Sequence, residues 1–172
     1  MKHDVLMVLA HPPAAVVAGL VDAEFQLEKW RRLGALRVEL LEQRSQGSAT
    51  FLTIRRRIGP KLQIPAALKR LIPTEAEFIH REEWDVASRT GRIQVDLGAL
   101  PLRVQGESRV VGVSGGSQQH FAWDIRSSIP LLGGALERFI ADNLTRDVVH
   151  EGHVMDALLS DANRAQACAP GV

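Results

Sequence analysis

From Lys2 to about Ile129 the apolar residues recur mostly with a period of two, and a helical period takes over only in two places. "KHDVLMVLAH" is a mixed apolar run bounded by Pro12 and Pro13, which reads as a first strand. Pro13 suits the first position of a helix, so "AAVVAGLVD" predicts one short helix. "DAEFQLEKWRRLG" predicts a second: Asp22 stands as N-cap, Phe25, Leu27 and Trp30 fall near one face, basic residues come late, and Gly34 ends it. The period then changes. Leu36, Val38 and Leu40 alternate with Arg37 and Glu39 before "QRSQGS" turns the chain. "ATFLTIRRRIG" returns as a third strand with Leu52, Ile54, Arg56 and Ile58 on one face, and "LQIPAALKRLIP" reads as a short helical excursion.

The fourth strand, "TEAEFIHREEWDV", sets Ala76, Phe78, His80, Glu82 and Trp84 on one side and Glu75, Glu77, Arg81, Glu83 and Asp85 on the other. "SRTGRIQVDLG" follows with Ile93, Val95 and Leu97 inward. "LRVQGESRVVGVSGG" and "QQHFAWDIRSSI" form the last pair, joined by a Ser-Gly-Gly-Ser hairpin signal, with Phe121, Trp123, Ile125 and Ile129 on one face. From about Leu131 the spacing of Leu132, Leu136, Ile140, Leu144 and Val148 is helical, and Val154, Met155, Leu158 and Leu159 continue it, with Gly152 as a bend. Unbroken from Leu132 to Leu159, that helix would be about 40 Å long. "NRAQACAPGV" has no periodicity, so residues 1–160 are expected to form one domain and 161–172 a flexible tail. The order is strand, two short helices, six strands in hairpin succession and one long helix. That is an α+β chain in which only the last helix is large enough to cover the apolar face of the sheet.

Composition narrows the function. The 172 residues are 45% apolar and 24% charged, with a formal charge of +1, so the basic excess typical of a nucleic-acid binder is missing. Lysine occurs only at 2, 29, 61 and 69, and this arginine bias points to a GC-rich bacterial genome. The single cysteine, Cys168, excludes an intrachain disulfide and suits a reducing compartment. The apolar run from Val5 to Ala10 is too short for a secretory signal, and no apolar span reaches the length needed to cross a membrane, so the cytoplasm is the default expectation.

"DAEFQLEKWRRLGA" after the first strand, "HREEWDV" in the fourth and "IPLLGGALERFIADNL" at the final junction, taken with the element order, resemble the START-like superfamily. This is the polyketide cyclase/dehydrase or birch-pollen-allergen-like group, and the chain resembles an uncharacterised actinobacterial branch of it, a domain of unknown function. The resemblance covers about Lys2 to Leu159. It implies a helix-grip fold: a curved antiparallel sheet of about seven strands wrapped on a long C-terminal helix, with a cavity between them that often holds an apolar or amphipathic ligand. It does not imply one activity, because cyclases, carriers and co-chaperones share the fold.

A ligand site in such a cavity would draw on Phe78, Trp84, Val95, Val104, Trp123, Ile125, Leu136 and Ile140 for its apolar lining. Arg56, His80 and Glu82, with Glu42 if the second strand keeps its parity, would orient a polar head. A filled core crossed by an internal salt-bridge network would give the same pattern. His80 and Glu82 are also the residues a cyclase- or hydrolase-like enzyme would use, the glutamate fixing the imidazole tautomer, although the chain has no tyrosine as a proton donor. No catalytic residue, cofactor or metal is assigned. Asp147, His150 and His153 are three apart on a helix and drift off any one face, and neither H-E-x-x-H nor a phosphate-binding glycine motif is present. Gly133 and Gly134 are expected to let the last helix approach the preceding strand closely. Arg55 to Arg57 with Lys61, Lys69 and Arg70 form a basic stretch that reads as a solvated face. The expected partner is a small hydrophobic or amphipathic ligand, a homodimer being left open. A co-chaperone-like role on the exposed sheet face is disfavoured by its dense charge.

Overall fold

The computed structural model describes residues 1–59, 64–73, 75–98 and 100–167. Lys61, Thr74 and Cys168, on which parts of the sequence reading fall, lie outside them. The first strand, β1 (Lys2–Leu9), buries Val5, Met7 and Leu9 on one side and pairs antiparallel with the last, β7 (Gly116–Ser127). Between these come α1 (Pro13–Val21), α2 (Ala23–Arg32), β2 (Arg37–Gln46), β3 (Ala49–Ile58), β4 (Ala76–Asp85), β5 (Thr90–Asp96) and β6 (Leu102–Val113). The sheet has seven strands in the order β1-β7-β6-β5-β4-β3-β2, every neighbouring pair antiparallel. Since β1 and β2 are opposite edges, α1 and α2 carry the chain across the inner face. The long α3 (Gly133–Ala167) lies over β1 and β7, which completes the helix-grip architecture. No helix of the described residues is long and apolar enough to cross a membrane.

Local chemistry accounts for the helix boundaries. The Phe25 amide donates to the Asp22 carboxylate at 2.7 Å, an N-cap bond that satisfies one of the free N–H groups at the start of α2. Gly34, at φ 86°, takes the left-handed conformation that ends it. The main apolar cluster joins α1 and α3 to β1, β4–β7 and to Leu68 and Ile72 of the excursion, which contains a single 3₁₀ turn, Ala66–Leu68, among the described residues. A separate small cluster of Leu27, Trp30 and Ile54 lies beneath α2.

Several expectations need correction. β2 runs on to Gln46, into the "QRSQGS" stretch expected to form a turn, because an edge strand can pair through polar residues. The register shifts between Leu40 and Glu42, so Glu42 stands opposite Thr53 on the outer face and pairs with Arg44 there. One extra residue inverts every side chain beyond it, which removes Glu42 from the interior. The glycines at the α3 junction do not permit a tight contact: a Cβ on Gly133 would sit 3.4 Å from Ser127, an ordinary separation, and one on Gly134 would meet nothing within 4 Å. The close approach is at Gly152, where a Cβ would stand 3.2 Å from Met7 Cγ and 3.3 Å from the Val8 carbonyl oxygen. Gly152 thus lets α3 rest against β1, and α3 continues through it as one helix to Ala167.

Candidate ligand-binding site

The inner face of β4 carries Phe78, His80, Glu82 and Trp84, and the inner face of β3 beside it carries Arg56 and Ile54. Trp84 has no accessible surface. Its indole lies against Gly91, its partner across β4–β5, where a Cβ would come within 2.7 Å of the ring. Trp123 is placed the same way over Gly106 of β6, again at 2.7 Å, and stacks on Phe121 with centroids 5.9 Å apart. Each indole therefore fills the space left by the absent side chain opposite. Trp84, Ile125 and Leu136 are sealed in the core, and Val95, Val104 and Trp123 are buried with them. Phe78 and Ile140, and with them Leu144, pack against the same core but keep accessible surface.

The polar residues form a connected group between the two apolar clusters. Arg56 Nε donates to His80 Nε2 at 2.9 Å, which places the imidazole proton on Nδ1. The guanidinium lies over the Trp30 ring, 3.9 Å from the centroid, and 5.3 Å from that of Phe78. Trp84 Nε1 donates to Glu82 Oε2 at 2.9 Å. Lys29 of α2, only 3% exposed, donates to Glu151 Oε1 of α3 at 2.8 Å and lies 4.5 Å from the Trp30 centroid. Trp30 in turn packs on His80, with ring centroids 5.0 Å apart.

Burial sets the charges. It is the main force holding the His80 imidazole well below its usual range, with the positive charges of Arg56 and Lys29 adding to it. Burial likewise pushes the Glu82 carboxyl up, against the pull of Lys29 and the Trp84 hydrogen bond. Arg56 is brought down to about 10 by desolvation, partly offset by Glu151, Asp147 and Glu82, and stays protonated at neutral pH. Asp147, on the more open side of α3, is shifted up by its partial burial and by Glu151.

One consequence concerns acid stability. His80 stays neutral in the fold while the unfolded chain takes up a proton below about pH 6.5. Its contribution is therefore present above that pH and lost as the pH falls towards the depressed folded value. Glu82 acts in the opposite sense: its contribution is full below its unfolded value near 4.5 and is lost as the pH rises through the raised one. A His80→Gln variant isolates the first effect. Wild type is expected to lose stability relative to this variant by approaching about 1 kcal/mol per pH unit below 6.5. Urea midpoints at neutral and mildly acidic pH measure the difference, and parallel curves would show that His80 titrates normally.

Sequence reasoning missed Lys29, Trp30 and Glu151 as parts of this group. The signal for Glu151 was present: it falls three after Val148 and four before Met155, on the buried stripe of α3. Lys29 follows the buried Gln26 by three on the face of α2 that meets α3. The expected His80–Glu82 pair is also corrected. The two side chains share a face, but Glu82 is held by Trp84, and the imidazole tautomer is fixed by Arg56 instead. Among the described residues no group of His, Cys, Asp or Glu side chains could hold a metal ion. Two open concavities of about 870 and 600 Å³ lie on the outer face of the sheet, lined by charged residues such as Asp4, Glu83, Arg92 and Glu107.

A curved antiparallel sheet of seven strands wrapped on a long C-terminal helix defines the class of helix-grip folds. Residues 4–159 match the family described as "Protein of unknown function (DUF2505)", and the chain belongs to that family. Solved structures agree on the fold. TTHA0849 from Thermus thermophilus is similar over 94% of this chain and 99% of its own, with a TM-score of 0.66 at 16% identity. A START superfamily protein from Mycobacterium smegmatis matches with a TM-score of 0.61 at 10% identity, over 94% of this chain and 98% of its own. The ZhuI aromatase/cyclase from a Streptomyces species matches with a TM-score of 0.53 at 22% identity, over 100% of this chain and 98% of its own. No curated protein matches the sequence.

Proposed function

We propose that the protein binds and carries a small apolar or amphipathic molecule between the inner face of β3–β4 and α3. The observation that carries this reading is the state of Arg56 and Glu82. Both are enclosed deeply enough for desolvation to dominate their ionisation, yet both keep accessible surface. Desolvated side chains that keep accessible surface border space that a ligand can reach. The same holds for the apolar Phe78, Ile140 and Leu144, so the space would have one polar end and apolar walls, as a ligand site requires. Membership of the START-like fold supports the reading, since that fold recurs in ligand-binding proteins. Residues 1–160 are taken as one binding domain acting in the cytoplasm.

An enzyme of the aromatase/cyclase kind is the second reading, favoured by the likeness to ZhuI. It is weaker because the Nε2 lone pair of His80 and one Glu82 oxygen are already engaged by Arg56 and Trp84. Native mass spectrometry of freshly purified protein tests binding directly. A reproducible adduct that leaves on denaturation and can be extracted into solvent is the expected result. A clean apo mass, with no rise in melting temperature on adding apolar compounds, would count against the proposal.

A further inference from the structure

We propose that the ligand is an organic monoanion, an apolar molecule ending in a carboxylate, and that the Arg56 guanidinium is its counter-ion. This rests on the binding reading above and deepens it by naming the ligand's chemical class.

The first support is the electrostatic state of the enclosed group, which includes side chains from every element packed there: Lys29 of α2, Arg56 of β3, His80 and Glu82 of β4, and Asp147 and Glu151 of α3. Lys29 is matched by Glu151 at 2.8 Å. His80 accepts from Arg56 and is neutral, and Glu82 is turned to Trp84 Nε1. Among the described residues no carboxylate lies within 4.0 Å of Arg56, and no residue outside them carries an acidic side chain. An enclosed cation ordinarily has a partner at hydrogen-bonding distance. The more distant Glu151, Asp147 and Glu82 ease the cost of its charge without occupying its donors.

The second support is geometric. Among the described residues Arg56 spends only Nε, on His80, and its terminal nitrogens neither meet an acceptor nor are sealed from accessible space. The Trp30 ring at 3.9 Å and the Phe78 ring at 5.3 Å constrain the guanidinium, so its planar fork is held ready for bidentate contact. Phe78 keeps accessible surface beside the fork, and Ile140 and Leu144 of α3 keep theirs against the same core. A doubly charged phosphate fits less well, because Glu82 and Glu151 stand near the same cation and would repel the second charge.

The experiment compares heads on a constant body. Decanoate and decanol form one pair, naphthaleneacetate and naphthaleneethanol another, each titrated calorimetrically into wild-type protein, Arg56→Gln and Arg56→Lys. Wild type is expected to bind the acid of at least one pair about tenfold or more tighter than its alcohol. Arg56→Gln should bring the two to equal affinity with little change for the alcohol, and Arg56→Lys should keep part of the preference. Acid and alcohol binding equally to wild type would overturn the anion proposal while leaving the binding reading intact. A preference for the acid that survives in Arg56→Gln would also overturn it, by placing the counter-ion elsewhere. If no probe of either kind binds, both readings fall.

Discussion

Trp84→Ala is expected to lower the unfolding free energy by about 3–5 kcal/mol, the range for deleting a large aromatic from a packed core. Trp84 has no accessible surface, and its indole occupies the space above Gly91 that no side chain of β5 fills. Alanine would leave that volume empty between two rigid strands of the sheet, where the backbone has little freedom to close in. The substitution also removes the Nε1–H donor from Glu82, a carboxyl already disfavoured as an anion by burial. Set against a typical total of about 5–15 kcal/mol, this is a large share of the stability. Chemical denaturation measures it. The complementary change, Gly91→Ala, places a methyl 2.7 Å from the same ring and is expected to cost about 1–3 kcal/mol through overpacking. The two losses should not add, since removing the indole makes room for the methyl. Strict additivity, or a loss from Trp84→Ala below about 1.5 kcal/mol, would show that the ring does not fill the site as described.

The same pair of residues shows what could be read from the sequence and what could not. Alternation along "EFIHREEWD" is enough to put Phe78, His80, Glu82 and Trp84 on one face, because side chains in a strand reverse at every step and a face of Phe and Trp will turn inward. It cannot show that Trp84 is sealed while Phe78 is not, since that depends on Gly91 standing opposite, and register is a property of the pairing. Glu42 failed for a related reason: the bulge at Leu41 is one extra residue in a strand whose polar composition leaves the parity unmarked. The long helix was legible from its apolar stripe. Its point of closest contact was not, because Gly152 matters only through Met7 and Val8, more than a hundred residues earlier. The enclosed polar group is a further step removed. Lys29 on α2 and Glu151 on α3 look like ordinary surface residues of amphipathic helices until the packing of the two helices buries one against the other.

That contact carries the second large effect. Lys29→Met is expected to cost about 3 kcal/mol, the low end of the range for breaking a buried ion pair by removing one partner. Lys29 is almost wholly buried, but Glu151 keeps 23% of its side chain exposed, and water can compensate part of the charge left behind. The loss has two sources: Glu151 is stranded near Glu82 and Asp147, and the Trp30 ring loses the cation 4.5 Å from its centroid. The double variant Lys29→Met/Glu151→Leu separates them. If the stranded carboxylate dominates, the double variant recovers most of the loss, because an apolar pair of similar volume often replaces a buried ion pair without penalty. If the double variant is as unstable as the single one, the cation–ring contact and the packing of the lysine stem are what hold α2 in place. The ion pair also bears on the site itself. Lys29 and Arg56 both lie against the Trp30 ring of α2, 4.5 and 3.9 Å from its centroid, so moving α2 would release the guanidinium from the ring that orients it. Lys29→Met should therefore weaken binding of the carboxylate probes more than binding of the matched alcohols, although Lys29 pairs with Glu151 and not with the ligand. An equal loss for both heads would mean that α2 supports the apolar walls and leaves Arg56 undisturbed.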